Sequence, residues 1–470
     1  MLTPTRKITV AAGQISALLM NEAAATLEQI EATIATAAGL GAELLVLPEC
    51  AYPAYLLGSI HSYRVGDHLS SADFLGWLRK QAARRGLHIV CGFVEDTGDV
   101  LHNTAILLDD RGDVLGLARK RFLWHADHEW YTPGTEIRVI NSRIGRIGIL
   151  ICAEARVPEI IATLANDGAE LLAMSTCWIN GARQAGQYEN IQVEFLIEAR
   201  AREFGIPFVC ADKCGLELPP IGYVGQSRIV GADGTLLAEA PPDRPEVIVA
   251  DLHLQPANKT RIAESWRRRL LTASPAQPSE KRDTHRIMVA ATPARMVVEY
   301  LSMGTLEAWL EGLSRRGVTM LVSDISLPEQ RETILGWARR FKIQSVLAPL
   351  PEGLSDIGCA KVGCLSGNDA HGFAPARAMA LDGADILLVF DMPEDTAMLR
   401  TRAVENRVFM IGAGWNTAVL VDPGGKIMSM SQGDPSPASI AEFDLALAAD
   451  KLVAPDTNIF QQRQPWLYKL

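Results

Sequence analysis

The chain lacks any apolar run approaching the ~18–20 residues that a bilayer-spanning helix requires, so no transmembrane segment is expected. It also lacks a surplus of basic residues. Its 45 Lys and Arg against 55 Asp and Glu give a formal net charge of −10. A nucleic-acid or anionic-membrane partner is therefore not expected, because phosphate binding needs a basic surface. The eight cysteines, at positions 50, 91, 152, 177, 210, 214, 359 and 364, include no CxxC pair. Free thiols in a reducing, cytoplasmic setting are the expectation. Cys210 and Cys214 have no His or second Cys pair to complete a zinc set, so no metal site is expected. The opening MLTPTRKITVAAGQ has no apolar stretch followed by a small-residue cleavage site, which predicts no signal peptide.

What is present is ordinary for a globular protein. Hydrophobic residues make up 48% and charged residues 21% of 470 residues, enough for two or three domains with large cores. Strand and helix patterns alternate. KITVAA at 7–12 reads as a strand and 23–38 as a helix stopped by Gly39 and Gly41. ELLVLPE reads as a short strand buried on both faces. Residues 101–119 read as a β-hairpin around DDRG, 147–152 as a buried strand, 157–168 as a helix and 169–175 as a strand. A helix over 190–205, a strand over 207–211 and a second hairpin over 228–240 follow. Layered α/β architecture is the expectation.

The chain then repeats itself. After a Pro-, Ser- and charge-rich stretch, HRIMVAAT echoes RKITVAAG, GVTMLVSDIS echoes GAELLVLPEC, and KVGCLSGNDA echoes RIGILICAEA. ARAMALDGADILLVF, RAVENRVFMIGA and VLVDPGGKI continue the same order. This predicts an internal duplication, with domains at 1–270 and 286–470 joined by a linker at 271–285. Three residues fail to recur. Ile325 stands where the first half has Glu49, Gly367 where it has Cys152, and the hairpin carrying Lys120 has no counterpart.

Those three residues have chemistry in common. Cys152 ends a buried strand just before a helix, where α/β folds place reactive groups and a helix dipole favours a thiolate. Glu49 also ends a strand and can move a proton. Lys120 ends a hairpin strand. Alone, each has a plain structural reading: a buried small apolar Cys, a capping Glu, an exposed basic edge.

Taken together, Glu in LPEC, Lys in RKRFLW and Cys in LICAEARVPE resemble the nitrilase superfamily, also called the carbon–nitrogen hydrolases. YTPG at 131–134 and Glu154, Arg156, Pro158 and Glu159 fit the same pattern, and the resemblance covers residues 7–270. It implies an αββα four-layer sandwich, here in two tandem copies, the second degenerate and non-catalytic. It implies a Glu49–Lys120–Cys152 triad with a second carboxylate soon after the Lys; Glu129 is the choice, with Asp127 close by. It implies an oxyanion held by Lys120 and a backbone N–H near Ala153, a thioester intermediate, and no metal or organic cofactor. An intrachain pseudo-dimer of the two domains and a homo-oligomer are further expectations.

The substrate is less sharply marked. Nitrilases of the family carry Trp-Glu after the nucleophile, whereas Ala153 and Glu154 stand here. That favours a small amide or N-carbamoyl compound over a nitrile, with acyl transfer on the same triad as an alternative. Arg156 is a candidate for a substrate carboxylate, or else a partner of Glu154 or Glu159. Tyr55 and Trp178 are candidate pocket walls, or else core; Tyr52 and Tyr63 share the loop with Tyr55.

Overall fold

The computed structural model describes residues 6–181, 186–274, 286–297, 303–324, 328–347, 353–392, 396–433 and 438–470. They form two units: residues 1–261 with 454–457 and 462–470, and residues 262–453 with 458–461. The sequence reading placed all of 286–470 in the second domain; its last stretches instead belong with the first unit. A helix over Glu264–Thr272 enters the expected linker, most of which, 275–285, lies outside the described residues.

In the first unit β1 (Arg6–Ser16) leads into α1 (Ala23–Gly39), which buries Ile30, Ile34 and Ala37. β2 (Leu44–Val46) lies parallel to β1, and α2 (Ser71–Arg85) follows. Ser70 caps α2 by accepting from the Asp73 amide at 3.1 Å, and Gly86 in the left-handed region ends it. β3 (His88–Asp96) is parallel to β2; β4 (Leu101–Leu108) and β5 (Val114–Arg119) extend the sheet antiparallel, as the predicted hairpin.

β6 (Val139–Ser142) begins a second sheet. It continues through β7 (Gly145–Ile151), α3 (Pro158–Asn166), β8 (Leu171–Ser175), α4 (Ile197–Phe204) and β9 (Phe208–Ala211), with β7, β8 and β9 parallel. β10 (Lys213–Leu218) and β11 (Ile221–Val224) return to the far edge of the first sheet. β12 (Arg228–Val230) and β13 (Leu236–Glu239) finish the second sheet, and β14 (Glu246–Leu254) runs antiparallel to β1. The sheets face one another; Ser175 Oγ donates across to Leu47 O at 2.8 Å. α1 and α2 pack on the outer face of the first sheet in a cluster that includes Ile30, Ile34, Leu45, Phe74, Leu78 and Ile89. α3 and α4 follow β7 and β8 on the other side. The result is the α/β sandwich of helix, sheet, sheet and helix that the resemblance implied.

The second unit has β15 (Arg286–Thr292), β16 (Met320–Ser323), β17 (Gln344–Leu347), β18 (Leu354–Asp356), β19 (Lys361–Ser366), β20 (Ile386–Phe390), β21 (Phe409–Ala413), β22 (Thr417–Val421), β23 (Ile427–Gln432) and β24 (Ser439–Asp444). Its sheets run β17-β16-β15-β24 and β18-β19-β20-β21-β22-β23. The first repeats the order β3-β2-β1-β14 with the same parallel and antiparallel senses. The second repeats β6-β7-β8-β9-β12-β13 likewise. Among the described residues, counterparts of β4, β5, β10 and β11 are missing.

Candidate active site

Three strand ends of the first unit converge. Beyond β2 the chain turns at Pro48, and Glu49 is fully buried. Its Oε1 accepts from Asn103 Nδ2 at 2.7 Å and from Lys120 Nζ at 2.6 Å. Its Oε2 has no hydrogen-bond partner among the described residues. Such an unpaired buried oxygen is costly, and it is the lone pair a general base needs. The turn fits only because Gly92 on β3 has no side chain. A Cβ there would lie 2.4 Å from Pro48 O and 2.6 Å from Glu49 Cα. Gly92→Ala is therefore expected to displace Glu49, costing about 1–3 kcal/mol of stability and lowering kcat far more than it raises KM. Urea titration and steady-state kinetics on the same preparation check this.

Lys120 follows β5 and is 1% exposed. Its ammonium sits between Glu49 Oε1 and Asp127 Oδ2, each at 2.6 Å. Burial works against its charge, but Asp127 and Glu49 outweigh burial and hold its pKa well above the ordinary lysine value. Asp127 is fully buried, and its Oδ2 also accepts from the Trp124 amide at 2.8 Å. The second carboxylate beside the lysine is thus Asp127. Glu129, the sequence choice, is exposed, because in the one-turn helix Asp127–Trp130 a residue two positions on points away.

Cys152 closes β7 in the left-handed backbone region, with φ 47°. Its side chain opens a tight turn, Cys152–Arg156, and is 8% exposed. Sγ lies 3.6 Å from Cys177 O. Burial, then the Glu49 charge, push the thiol pKa upward, while Lys120 pulls it back. Burial likewise raises Glu49, and the lysine opposes it. Burial therefore favours the neutral thiol at Cys152. Ala153, buried, occupies the start of the turn, where a backbone N–H has no intrahelical acceptor.

A buried strut joins the lysine turn to the cysteine turn. Arg121, next to Lys120, reaches Glu154, two residues beyond Cys152. Glu154 Oε1 accepts from the Arg121 amide at 2.8 Å and from Nε at 2.6 Å, and Oε2 pairs with Nη2. Oε2 also accepts from the Ile151 amide at 2.9 Å. Bidentate pairing of this kind fixes geometry as well as charge. Behind the nucleophile, with its amide turned to satisfy both neighbours, Gln192 donates to Cys152 O and accepts from Trp178 Nε1, each at 3.0 Å.

The other candidates are placed as follows. Tyr55 is buried, edge-on to Trp130 and Tyr223 at 6.4 Å each. Burial, then the charges of Asp127, Glu49 and Cys152, raise its hydroxyl pKa well above the usual value. Trp178 is 0% exposed with its indole N–H engaged, so it supports Cys152 from behind and walls no accessible space. Arg156 stacks over the Trp124 ring at 4.7 Å. Glu154 pairs with Arg121 and Glu159 with Arg463. Tyr52 stacks on Phe74 and Tyr63 packs in a core cluster. All eight cysteines are free thiols. Among the described residues no cluster of His, Cys, Asp or Glu could hold a metal, and no helix is long and apolar enough to cross a membrane.

The family model of the carbon–nitrogen hydrolases matches residues 9–262, more than half of the chain. A probable nitrilase of Schizosaccharomyces pombe is 24% identical over 221 residues, 46% of this chain and 78% of that protein. A 2-oxoglutaramate amidase of Bacillus subtilis is 29% identical over 225 residues, 47% of this chain and 82% of that protein. An amidase of known structure from Nesterenkonia sp. is 26% identical, with a TM-score of 0.47, covering 52% of this chain and 90% of that one. With the family model matching more than half of the chain, in the segment that holds Glu49, Lys120 and Cys152, the chain belongs to the carbon–nitrogen hydrolase family.

Proposed function

We propose that this enzyme hydrolyses the C–N bond of a small amide or N-carbamoyl compound through a thioester on Cys152. The observation that carries the reading is Lys120 held between two buried carboxylates, each of which keeps one oxygen without a hydrogen-bond partner among the described residues. Glu49 takes the thiol proton as Cys152 Sγ attacks the carbonyl carbon. The Lys120 ammonium and the Ala153 amide stabilise the developing oxyanion, in a dry site where such interactions are strongest. Glu49 then gives its proton to the leaving amine and activates the water that cleaves the thioester. Asp127 holds Lys120 in place and keeps it charged. A base and acid in one carboxylate suits the upward shift that burial gives Glu49.

The amide reading is supported by Ala153 after the nucleophile and by the relative named as an amidase. Arg156 is the group we assign to a substrate carboxylate, with Tyr55 as a wall of the chamber. Incubation with a panel of amides, N-carbamoyl compounds and nitriles, followed by intact-mass measurement, tests it. The expected result is an acyl adduct on Cys152 and release of ammonia or amine with the first two classes. Turnover of nitriles alone overturns the amide reading, and products that change when an amine is added identify acyl transfer.

The second unit, in this reading, is a degenerate non-catalytic copy. Arg200 Nε donates to Ala155 O and its Nη1 pairs with Glu203; Arg402 Nε donates to Ala370 O and its Nη1 pairs with Glu405. Those are the positions the sequence alignment equates. At Gly367, in place of Cys152, a Cβ would lie 2.2 Å from Asp391 O, so the room for a nucleophile is gone as well. Ile325, in place of Glu49, lies outside the described residues.

A further inference from the structure

The first unit is finished by residues encoded after the second. Thr457 and residues 462–470 belong to it by contact, although some two hundred residues separate them from 261. They meet it at two turns that matter to the site. Thr457 Oγ1 accepts from the His125 amide at 2.8 Å. His125 sits in the left-handed region, φ 45°, two residues before Asp127, in an otherwise exposed turn whose role is to aim Asp127 at Lys120. Arg463 Nε donates to Glu159 Oε1 at 3.0 Å, with side-chain exposures of 2% and 0%. Glu159 lies in the first turn of α3, seven residues after Cys152. Between these two, Gln464 Nε2 approaches Gly134 O at 3.4 Å, and Gly134 N donates to Lys120 O at 2.8 Å.

We propose that Thr457 and Arg463 are positioning residues for the first-unit site, a clamp that fixes the Asp127 turn and the start of α3 relative to one another. The physical basis differs at the two ends. Glu159 is wholly buried, and removing the guanidinium takes a hydrogen-bonded counter-charge away from it, a loss that costs most when the pair is buried. Relief comes from moving the first turn of α3, to which the Cys152 turn is directly joined. At the other end the Thr457 hydroxyl satisfies an amide that a strained turn presents outward; without it that turn is free to rotate Asp127 off Lys120. Displacements of about 1 Å at such supports cost up to about a hundredfold in rate.

This proposal rests on the roles given to Cys152, Lys120 and Asp127 above, and the test separates the two. The full-length chain carrying Arg463→Met, Arg463→Lys or Thr457→Val is compared with the unaltered chain. Two quantities are read at a temperature where all are folded: the rate of Cys152 alkylation by iodoacetamide across pH 5–9, located by mass, and kcat and KM on an amide turned over by the unaltered enzyme. Arg463→Met is expected to lower kcat and the alkylation rate by about tenfold to a hundredfold with KM nearly unchanged, and to shift the pH profile of alkylation. Arg463→Lys is expected to recover part of the loss, since lysine restores the charge but not the planar donor geometry. Wild-type kcat and an unmoved alkylation profile in folded Arg463→Met and Thr457→Val overturn the clamp. If Arg463→Met does not fold, Thr457→Val decides: a lower kcat at constant KM supports the proposal and a wild-type kcat overturns it. Alkylation of the unaltered enzyme at some residue other than Cys152 overturns the assignment of the nucleophile instead.

Discussion

Cys152→Ala is expected to reduce turnover by about 10⁴- to 10⁶-fold, the scale seen when a covalent nucleophile is deleted from a preorganised site. No other thiol can replace it. Cys50 Sγ faces Tyr131 OH at 3.6 Å, and Cys177 Sγ donates to Glu49 O at 3.1 Å, on the far side of the turn. Both are buried and their thiol pKa values are pushed well up, by burial above all. The fold should persist, because alanine accepts the backbone of residue 152 about as well as cysteine does and the side chain lost is small. The variant should bind substrate and form no mass adduct. Retention of turnover above a few per cent, with the same substrate and a verified protein mass, would falsify the covalent route.

Lys120→Met should damage both the chemistry and the fold, and the two effects have different pH dependence. Loss of an oxyanion donor of this kind costs about 10²–10³ in kcat. Removing the cation also leaves Glu49 and Asp127 buried without it, and a buried pair broken on one side costs about 3–5 kcal/mol. The sign follows from Glu49. Its folded pKa already lies above the ordinary 4.5, burial being the main cause and Lys120 the main opposing influence. Without Lys120 it rises further. A group whose folded pKa exceeds its unfolded value favours the fold below the unfolded pKa and loses that contribution as pH rises through the folded pKa. The stability gap between Lys120→Met and the unaltered chain should therefore widen from about pH 5 upward and narrow toward pH 4.5. Urea unfolding at stepped pH measures it; a gap independent of pH would show that Glu49 is solvated in the variant.

The sequence carried the site unevenly. Glu49, Lys120 and Cys152 were legible because each ends a strand that punctuation marks clearly: Pro48, the DDRG hairpin, and the apolar run IGILI. Asp127 was not, since choosing between carboxylates two residues apart requires knowing which side of a single helical turn faces the lysine. Asn103, in the middle of β4, looks like any polar strand residue until β4 is paired beside Lys120. The β10–β11 hairpin leaves no clear mark in the sequence, since Lys213 and Glu217 are residue types usually found at the surface. In fact they pair at 3.1 Å in the interior, where Tyr223 OH and the Leu56 amide also donate to Glu217. The return of residues 454–457 and 462–470 to the first unit leaves no local trace at all. An ion pair between positions 159 and 463 is a property of the folded chain.

The placement of one lysine between two carboxylates has an electrical consequence. If Glu49 and Asp127 enter the cycle as carboxylates and Cys152 as a thiol, the buried group of Glu49, Asp127, Lys120 and Cys152 bears one net negative charge. On the proposed roles, that value never changes. When the oxyanion forms, Glu49 is neutral; when the amine departs, Glu49 is negative again and the thioester carries nothing. The interior thus shuttles a proton over a few ångströms without exporting or importing charge, so the desolvation penalty met once in folding is not met again at each turnover. The chemical step should accordingly be indifferent to ionic strength, and any salt dependence of the enzyme should reside in how its substrate arrives.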